Sequence, residues 1–245
     1  MTDWLKYEWE WNEQEAVFQV DLQYWELLPA LAYPHLVFVS VAPRNPKAEA
    51  FSHAEDRHVT ALQHTLAEQL EDVAIFIGGI ALKNVIQFYF YTADEKLIKR
   101  TADICRGETH LQITCGQVAE PHYATYYTLL FPDDAKLQSV ENAAYIKSIQ
   151  HRDGDLSLVR RVRLTMAFPS EEACDAFLSE IPHLGFTMGI RESVGNSTHP
   201  YRVVLNGFSS LKLLELNRFT ARAIRGALPY GGVLDRIHAD LIERH

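Results

Sequence analysis

VAIFIGGIALKNVIQFYFYTAD, residues Val73 to Asp94, decides the fold. It reads as a strand, a short polar turn around Lys83-Asn84, and a second strand from Val85 to Tyr91 rich in β-branched and aromatic residues. Helical patterns flank it. Upstream, Ser52 with Glu55 three residues on makes a capping box, and Val59, Leu62, Leu66 and Leu70 share one helical stripe. Downstream, Thr92 and Glu95 repeat the box, Leu97, Ile98, Ala102 and Cys105 give the stripe, and Gly107 supplies a stop.

Apolar runs of strand length stand outside both helices, at His35 to Ala42 and at Leu111 to Val118. The order β-α-β-β-α-β is the ferredoxin-like split βαβ plan. Before it, Tyr7, Trp9 and Trp11, then Phe18, Val20 and Leu22, alternate with polar residues across the Asn12–Glu15 turn, which predicts an antiparallel hairpin. All four tryptophans (Trp4, Trp9, Trp11, Trp25) lie in this opening segment, where they fit a cover for one side of a core better than a binding patch. Gly78-Gly79 marks a strand irregularity or a close approach. The aromatic stretch Glu120 to Pro132 reads as one more strand.

A second copy of the plan follows. Asp134 to Ile149 reads as a linker helix, and Asp153-Gly154 as a turn. Then come a strand (Val159 to Phe168), a helix capped by Ser170 and closed by Gly185, strands Phe186 to Val194 and Tyr201 to Phe208 around Gly195-Asn196, and a helix from Leu211 to Leu228. The expected class is α+β: two ferredoxin-like sandwiches, each an antiparallel sheet with helices on one face. The expected bounds are 1–132 for the first domain, 133–157 for linker helix and turn, and 158–245 for the second.

At 245 residues and 47% hydrophobic, the chain can bury a sizeable core. No apolar run approaches the roughly 18 residues that span a bilayer. The opening Met1 to Lys6 lacks a basic region followed by an apolar one, so a cytoplasmic protein without membrane contact is expected. Cys105, Cys115 and Cys174 form no CxxC and read as small apolar side chains in a reducing compartment. The net charge of −9 belongs to the first half: 9 Lys and Arg against 18 Asp and Glu through Pro132, and 14 of each sign thereafter. That balance argues against bulk phosphate-backbone binding and is compatible with a basic protein partner for the first half, although acidity serves solubility equally well.

The first half resembles the domain of unknown function 695 family: a Trp-rich start, Pro34-His35-Leu36, the amphipathic helix, Gly79, Phe88 to Asp94, and the acidic-Pro-aromatic segment Glu120 to Pro132, with Tyr123 where a Trp is expected. The second half resembles the RraB-like regulators of ribonuclease E through Gly154 to Val162, Phe168, Phe177, Leu184-Gly185-Phe186 and Tyr230-Gly231-Gly232. It departs from that pattern at Val233 to Ile237, where a Tyr-Asp-Gly-Trp element is expected, and around Arg163-Leu164, where a histidine is expected. The resemblance implies a non-catalytic protein-binding or regulatory module whose partner is a ribonuclease or another acidic or basic protein surface.

Arg218, Arg222 and Arg225, spaced i, i+4, i+7 on the last long helix, are the partner-binding candidates; the bland reading is a solvated helix face. An RRM-like reading places Phe38, Tyr89 and Tyr91 as stacking aromatics, but the second strand lacks the basic and glycine positions of that motif and its half is acidic. No metal or cofactor is expected. His53 and His58 are five apart and His58 and His64 six, so neither pair has helical ligand spacing, and His64 with Glu68 reads as a surface pair. Glu120 with His122 is the best acid/base pair, with no nucleophile nearby. There is no GxSxG, P-loop or GxGxxG, so an enzyme would need a site assembled from distant residues.

Overall fold

A computed structural model describes residues 3–152, 155–195 and 197–242, so the expected turns at Asp153-Gly154 and at Asn196 lie outside the described residues. The chain divides into two compact units, Met1–Pro132 and Asp133–His245.

In the first unit a hairpin, β1 (Trp4–Trp11) and β2 (Gln14–Asp21), turns at Asn12 and Glu13, both at positive φ as a two-residue hairpin turn requires. The short helix α1 (Tyr24–Leu31) follows, then β3 (His35–Pro43), α2 (His53–Leu70), β4 (Ala74–Ala81), β5 (Ile86–Thr92), α3 (Leu97–Arg106) and β6 (Leu111–Ala119). The sheet is antiparallel in the order β1-β2-β4-β5-β3-β6. Its last four strands are the split βαβ plan, with β5 inserted between β4 and β3. The Ser52–Glu55 capping box is formed, and Val59, Leu62, Leu66 and Leu70 are the buried stripe of α2.

The Thr92–Glu95 box is not formed. Thr92 Oγ1 instead donates to the Val73 carbonyl and accepts from the Asp94 N–H, so α3 begins at Leu97 without a side-chain cap. Thr101, rather than Ala102, completes its buried stripe, its hydroxyl satisfied by the Leu97 carbonyl. Gly107 ends α3 in ordinary helical conformation, not the left-handed one. At Gly78 the β4–β5 ladder slips, φ is +142°, and a Cβ would stand 2.1 Å from the Gln19 carbonyl oxygen. This is the close approach that keeps β2 paired to β4.

Both faces of this sheet are covered. Val37, Val39, Val41, Phe88 and Phe90 pack under α2 and α3. The opposite face does not stay open, because Glu120 to Pro132 is not a strand. It turns at Tyr123 (φ +53°) and winds into a π-helical segment, Thr125–Leu130. That segment lays Tyr126 and Leu130, with Leu28 of α1, over Phe18, Leu36 and Tyr91. Hydroxyls fix it: Tyr7 donates to the Leu130 carbonyl at 2.8 Å, Tyr126 to that of Asp21 at 2.8 Å, and Tyr127 to that of Trp25 at 2.9 Å. A strand would place alternate aromatics on opposite faces; helical winding puts them on one core and lets each ring bury while its hydroxyl stays bonded.

The second unit runs α4 (Asp134–Ile149), β7 (Arg160–Phe168), α5 (Glu171–Leu178), β8 (Thr187–Ser193), β9 (Tyr201–Ser209), α6 (Leu213–Ala227), a 3₁₀ turn (Leu228–Tyr230) and β10 (Val233–Ala239). Its antiparallel order β10-β7-β9-β8 repeats the order of the four-strand core in the first unit. Val162, Leu164, Met166, Val203 and Leu205 face Phe177, Leu216 and Phe219 of the helices. Gly185 (φ +75°) turns the chain after α5, where the Phe186 N–H bonds back to Ile181. The helix expected as a linker, α4, packs on α6: buried Asn142 donates to Asn217 Oδ1 at 2.8 Å and to Thr220 Oγ1 at 2.9 Å. No described helix is long and apolar enough to cross a membrane.

Candidate functional site

Strand alternation splits the second sheet into a helix-covered face and an open one. On the open face the register sets Arg161 opposite Phe208, Arg163 opposite Asn206, Thr165 opposite Val204 and Ala167 opposite Arg202, with Arg236 and His238 beside them on β10. Phe208 is 73% exposed, and Ile190, in the irregular middle of β8, is 71% exposed. Arg161 and Arg163 fork onto Asp240 at 3.0 and 2.7 Å, and Arg202 reaches Asp235 at 3.4 Å. Desolvation pushes the Asp240 carboxyl up, but the two arginines that share it together hold it below the ordinary value. The Nε–H groups of Arg163 and Arg202 are buried with no acceptor among the described residues. The face therefore combines exposed apolar side chains with guanidinium groups held in place by Asp240 and Asp235.

Arg218, Arg222 and Arg225 all stand exposed along one side of α6. Arg222 and Arg225 are engaged within the unit. Arg225 lies 3.5 Å from Asp133, and the Arg222 guanidinium sits over the rings of Phe186 and Phe219 at 5.3 and 5.7 Å. Arg218 is also in an interaction.

Glu120 and His122 do not form an acid/base pair. The Glu120 carboxylate accepts from Tyr91 Oη, from the Thr125 N–H at 2.7 Å and from Thr125 Oγ1 at 2.9 Å, so it is spent on starting the π-helical segment. Burial first, and the neighbouring carboxylate second, push the Tyr91 phenol far above its usual range. His122 instead lines a shallow groove of about 510 Å³ with Pro29, Pro34, Pro121 and Tyr127. The aromatic strand residues form no stacking platform either: Tyr89 and Tyr91 are buried, and Phe38 packs over Gly116, where a Cβ would meet its ring at 2.2 Å. A cleft of about 360 Å³ opens between α2 and the sheet, with Ile80, Ile86 and Phe88 as its floor and Lys6, Asp56 and Gln63 at its mouth.

Two side-chain groupings were not visible in spacing. Cys105 of α3 and Cys115 of β6 bring their sulfurs to 3.6 Å, as free thiols. His58 of α2 meets Glu108 and His110 of the α3–β6 turn, with His58 Nδ1 3.0 Å from Glu108 Oε2. The histidine grouping joins elements whose proximity only the packing of α2 and α3 on one face creates, while the cysteines meet where α3 packs on β6. The one local hint was the Glu-x-His spacing at 108 and 110.

Among solved structures the chain is similar to an unknown protein from Galdieria sulphuraria, at 10% identity and a TM-score of 0.24 over 85% of this chain and 99% of that one. It is also similar to chlorite dismutase from Candidatus Nitrospira defluvii, at 12% identity and a TM-score of 0.26 over 83% and 86%. At TM-scores this low neither likeness carries information about the site. The chain has no match among the curated proteins. The model of the family of unknown function DUF695 matches residues 2–131, which is just over half the chain and ends within one residue of the first compact unit. On that match, this chain belongs to the DUF695 family.

Proposed function

We propose that the protein is a non-catalytic, protein-binding regulator whose second unit docks an acidic, apolar-bearing segment of a partner on the open face of its sheet. The observation that carries this reading is the pairing of exposed Phe208 and Ile190 with Arg161, Arg163 and Arg202 on one uncovered surface. Aromatic and arginine side chains dominate the energetics of protein interfaces. Fully burying a side chain of the size of Phe or Ile gains about 1.5–3 kcal/mol, and a partner carboxylate could accept from guanidinium groups already held in place. The RraB-like resemblance of this half narrows the partner class to a ribonuclease of the ribonuclease E type. The common exposure of Arg218, Arg222 and Arg225 on α6 makes that helix face the alternative surface for an acidic partner.

The test compares the full-length parent with two variants as bait in cell lysate: Phe208→Ser with Ile190→Ser, and Arg218→Glu with Arg222→Glu and Arg225→Glu. A protein retained by the parent in a salt-dependent manner, kept by the helix variant and lost by the sheet variant, supports the sheet face. Loss only from the helix variant moves the site to α6. Retention by both variants overturns the binding surface, provided their melting matches the parent. Purified ribonuclease E supplies the family-level arm: no binding at tens of micromolar removes that partner.

A further inference from the structure

We propose that His58, Glu108 and His110 form a binding site for one divalent transition cation of the zinc, cobalt and nickel kind. The site lies in the first unit and is independent of the docking face. His58 projects from α2, while Glu108 and His110 sit in the short turn between Arg106, the last residue of α3, and Leu111, the first of β6. α2, α3 and β6 are fixed by the core beneath them, so a helix and the turn between two anchored elements bring the donors together.

The donor atoms are spaced like the corners of a coordination shell. His58 Nδ1 is 3.0 Å from Glu108 Oε2, His110 Nδ1 is 3.2 Å from Glu108 Oε1, and one donor atom from each residue falls within 4.8 Å of the others. Bonds of about 2.0–2.1 Å at tetrahedral angles separate neighbouring ligand atoms by roughly 3.3 Å. Each nitrogen–oxygen edge is close to that length, but the two end on different oxygens of Glu108, so one ion takes both oxygens or one imidazole shifts toward the other's oxygen.

The carboxylate is prepared for the role. Only 15% of the Glu108 side chain is exposed, and the His110 backbone N–H bonds Oε1 at 2.6 Å, which fixes its orientation as an outer hydrogen bond does for metal ligands. Partial burial pushes its carboxyl up, but that N–H and the two imidazoles draw it lower still, so it is an anion at neutral pH. The two imidazole rings lie nearly parallel, 17° apart, with centroids at 4.1 Å. Parallel rings confine their in-plane lone pairs to separate planes, so a shared ion requires one ring to turn. His110, 57% exposed, has the freedom; His58, 36% exposed and on a helix, is the fixed arm.

Simple imidazole–carboxylate hydrogen bonds, one histidine per carboxylate oxygen, account for the two pairwise distances; a shared ion adds the convergence of both nitrogens and the carboxylate on one point, which the spacing of the three donors within 4.8 Å permits. Two imidazole nitrogens select against magnesium and calcium, which take oxygen ligands, and in favour of borderline transition ions. Three protein ligands on one side, with His110 at the surface, leave the remaining positions to water.

The full-length chain, freed of any affinity tag and stripped with EDTA, is titrated calorimetrically with zinc chloride and melted with and without it. The parent is expected to bind one equivalent and to melt several degrees higher, while magnesium and calcium chloride have no effect. His110→Ala alters an exposed side chain, so its metal-free melting should match the parent while zinc affinity falls by more than the roughly 10–100-fold that loss of an outer hydrogen-bond partner costs. His58→Ala and Glu108→Gln should lose the zinc-induced shift as well. Cobalt(II) gives a second readout, an absorption band in the parent that is absent from His110→Ala. No zinc heat or melting shift in the parent overturns the proposal. So does a zinc response that His58→Ala and His110→Ala both retain, since the ion would then sit on other histidines.

Discussion

Replacing Glu120 by alanine tests whether one carboxylate starts the π-helical segment that closes the first core. The side chain serves three donors: the Tyr91 hydroxyl and the N–H and hydroxyl of Thr125. Tyr91 is fully buried, so stranding its hydroxyl costs about 1–3 kcal/mol. Thr125 is half-buried and can recruit water, so its two lost bonds cost about 1 kcal/mol in all. The total for Glu120→Ala is about 2–4 kcal/mol, whereas Glu120→Gln, which keeps one acceptor oxygen, should cost about 1 kcal/mol. Tryptophan fluorescence during urea unfolding is the assay, because all four tryptophans lie in the first unit. Trp25 in particular packs on Tyr127 and Phe131, with ring centroids at 5.1 and 4.1 Å. With a urea slope of about 2 kcal/mol/M, the alanine midpoint should fall by about 1–2 M. A fall below about 0.25 M, equivalent to about 0.5 kcal/mol, would refute the reasoning, as would a glutamine variant as damaged as the alanine one.

Gly78→Ala would set a methyl 2.1 Å from a backbone oxygen at a φ that L-residues avoid, so the β2–β4 pairing must part. The expected loss is about 3–5 kcal/mol, seen as a large drop in the same fluorescence transition; a near-parental midpoint would mean that the strand can shift freely. Asn142→Ala leaves Asn217 Oδ1 and Thr220 Oγ1 without the donor they share and should cost about 2–4 kcal/mol. Hydrogen exchange should then show lost amide protection in α4 and α6. Unchanged protection would mean that α4 is a tether rather than part of the second core.

Local pattern by itself determined most of the elements. Stripes at helical spacing named the buried residues of α2 before any partner was known, because a helix shows its core face in its own periodicity. Alternation and a polar turn likewise fixed the β1–β2 and β4–β5 hairpins, whose partners are adjacent in the chain. β10 escaped: its register shifts between Leu234 and Arg236, so the period-2 signal is broken within seven residues. Glu120 to Pro132 does not form the expected strand because a run of aromatics suits a strand and a buried turn equally, and only the acceptors at Asp21, Trp25 and Leu130 select the π-helical segment. The arginine stripe on α6 was legible for the same periodic reason as α2. The open arginine and phenylalanine face was not, since it needs the pairing of β7 with β9 across about forty residues of chain. The meeting of His58 with Glu108 and His110 was hidden more deeply still. Periodicity describes one element at a time, and which faces of α2 and α3 come together is set by burial of the shared core.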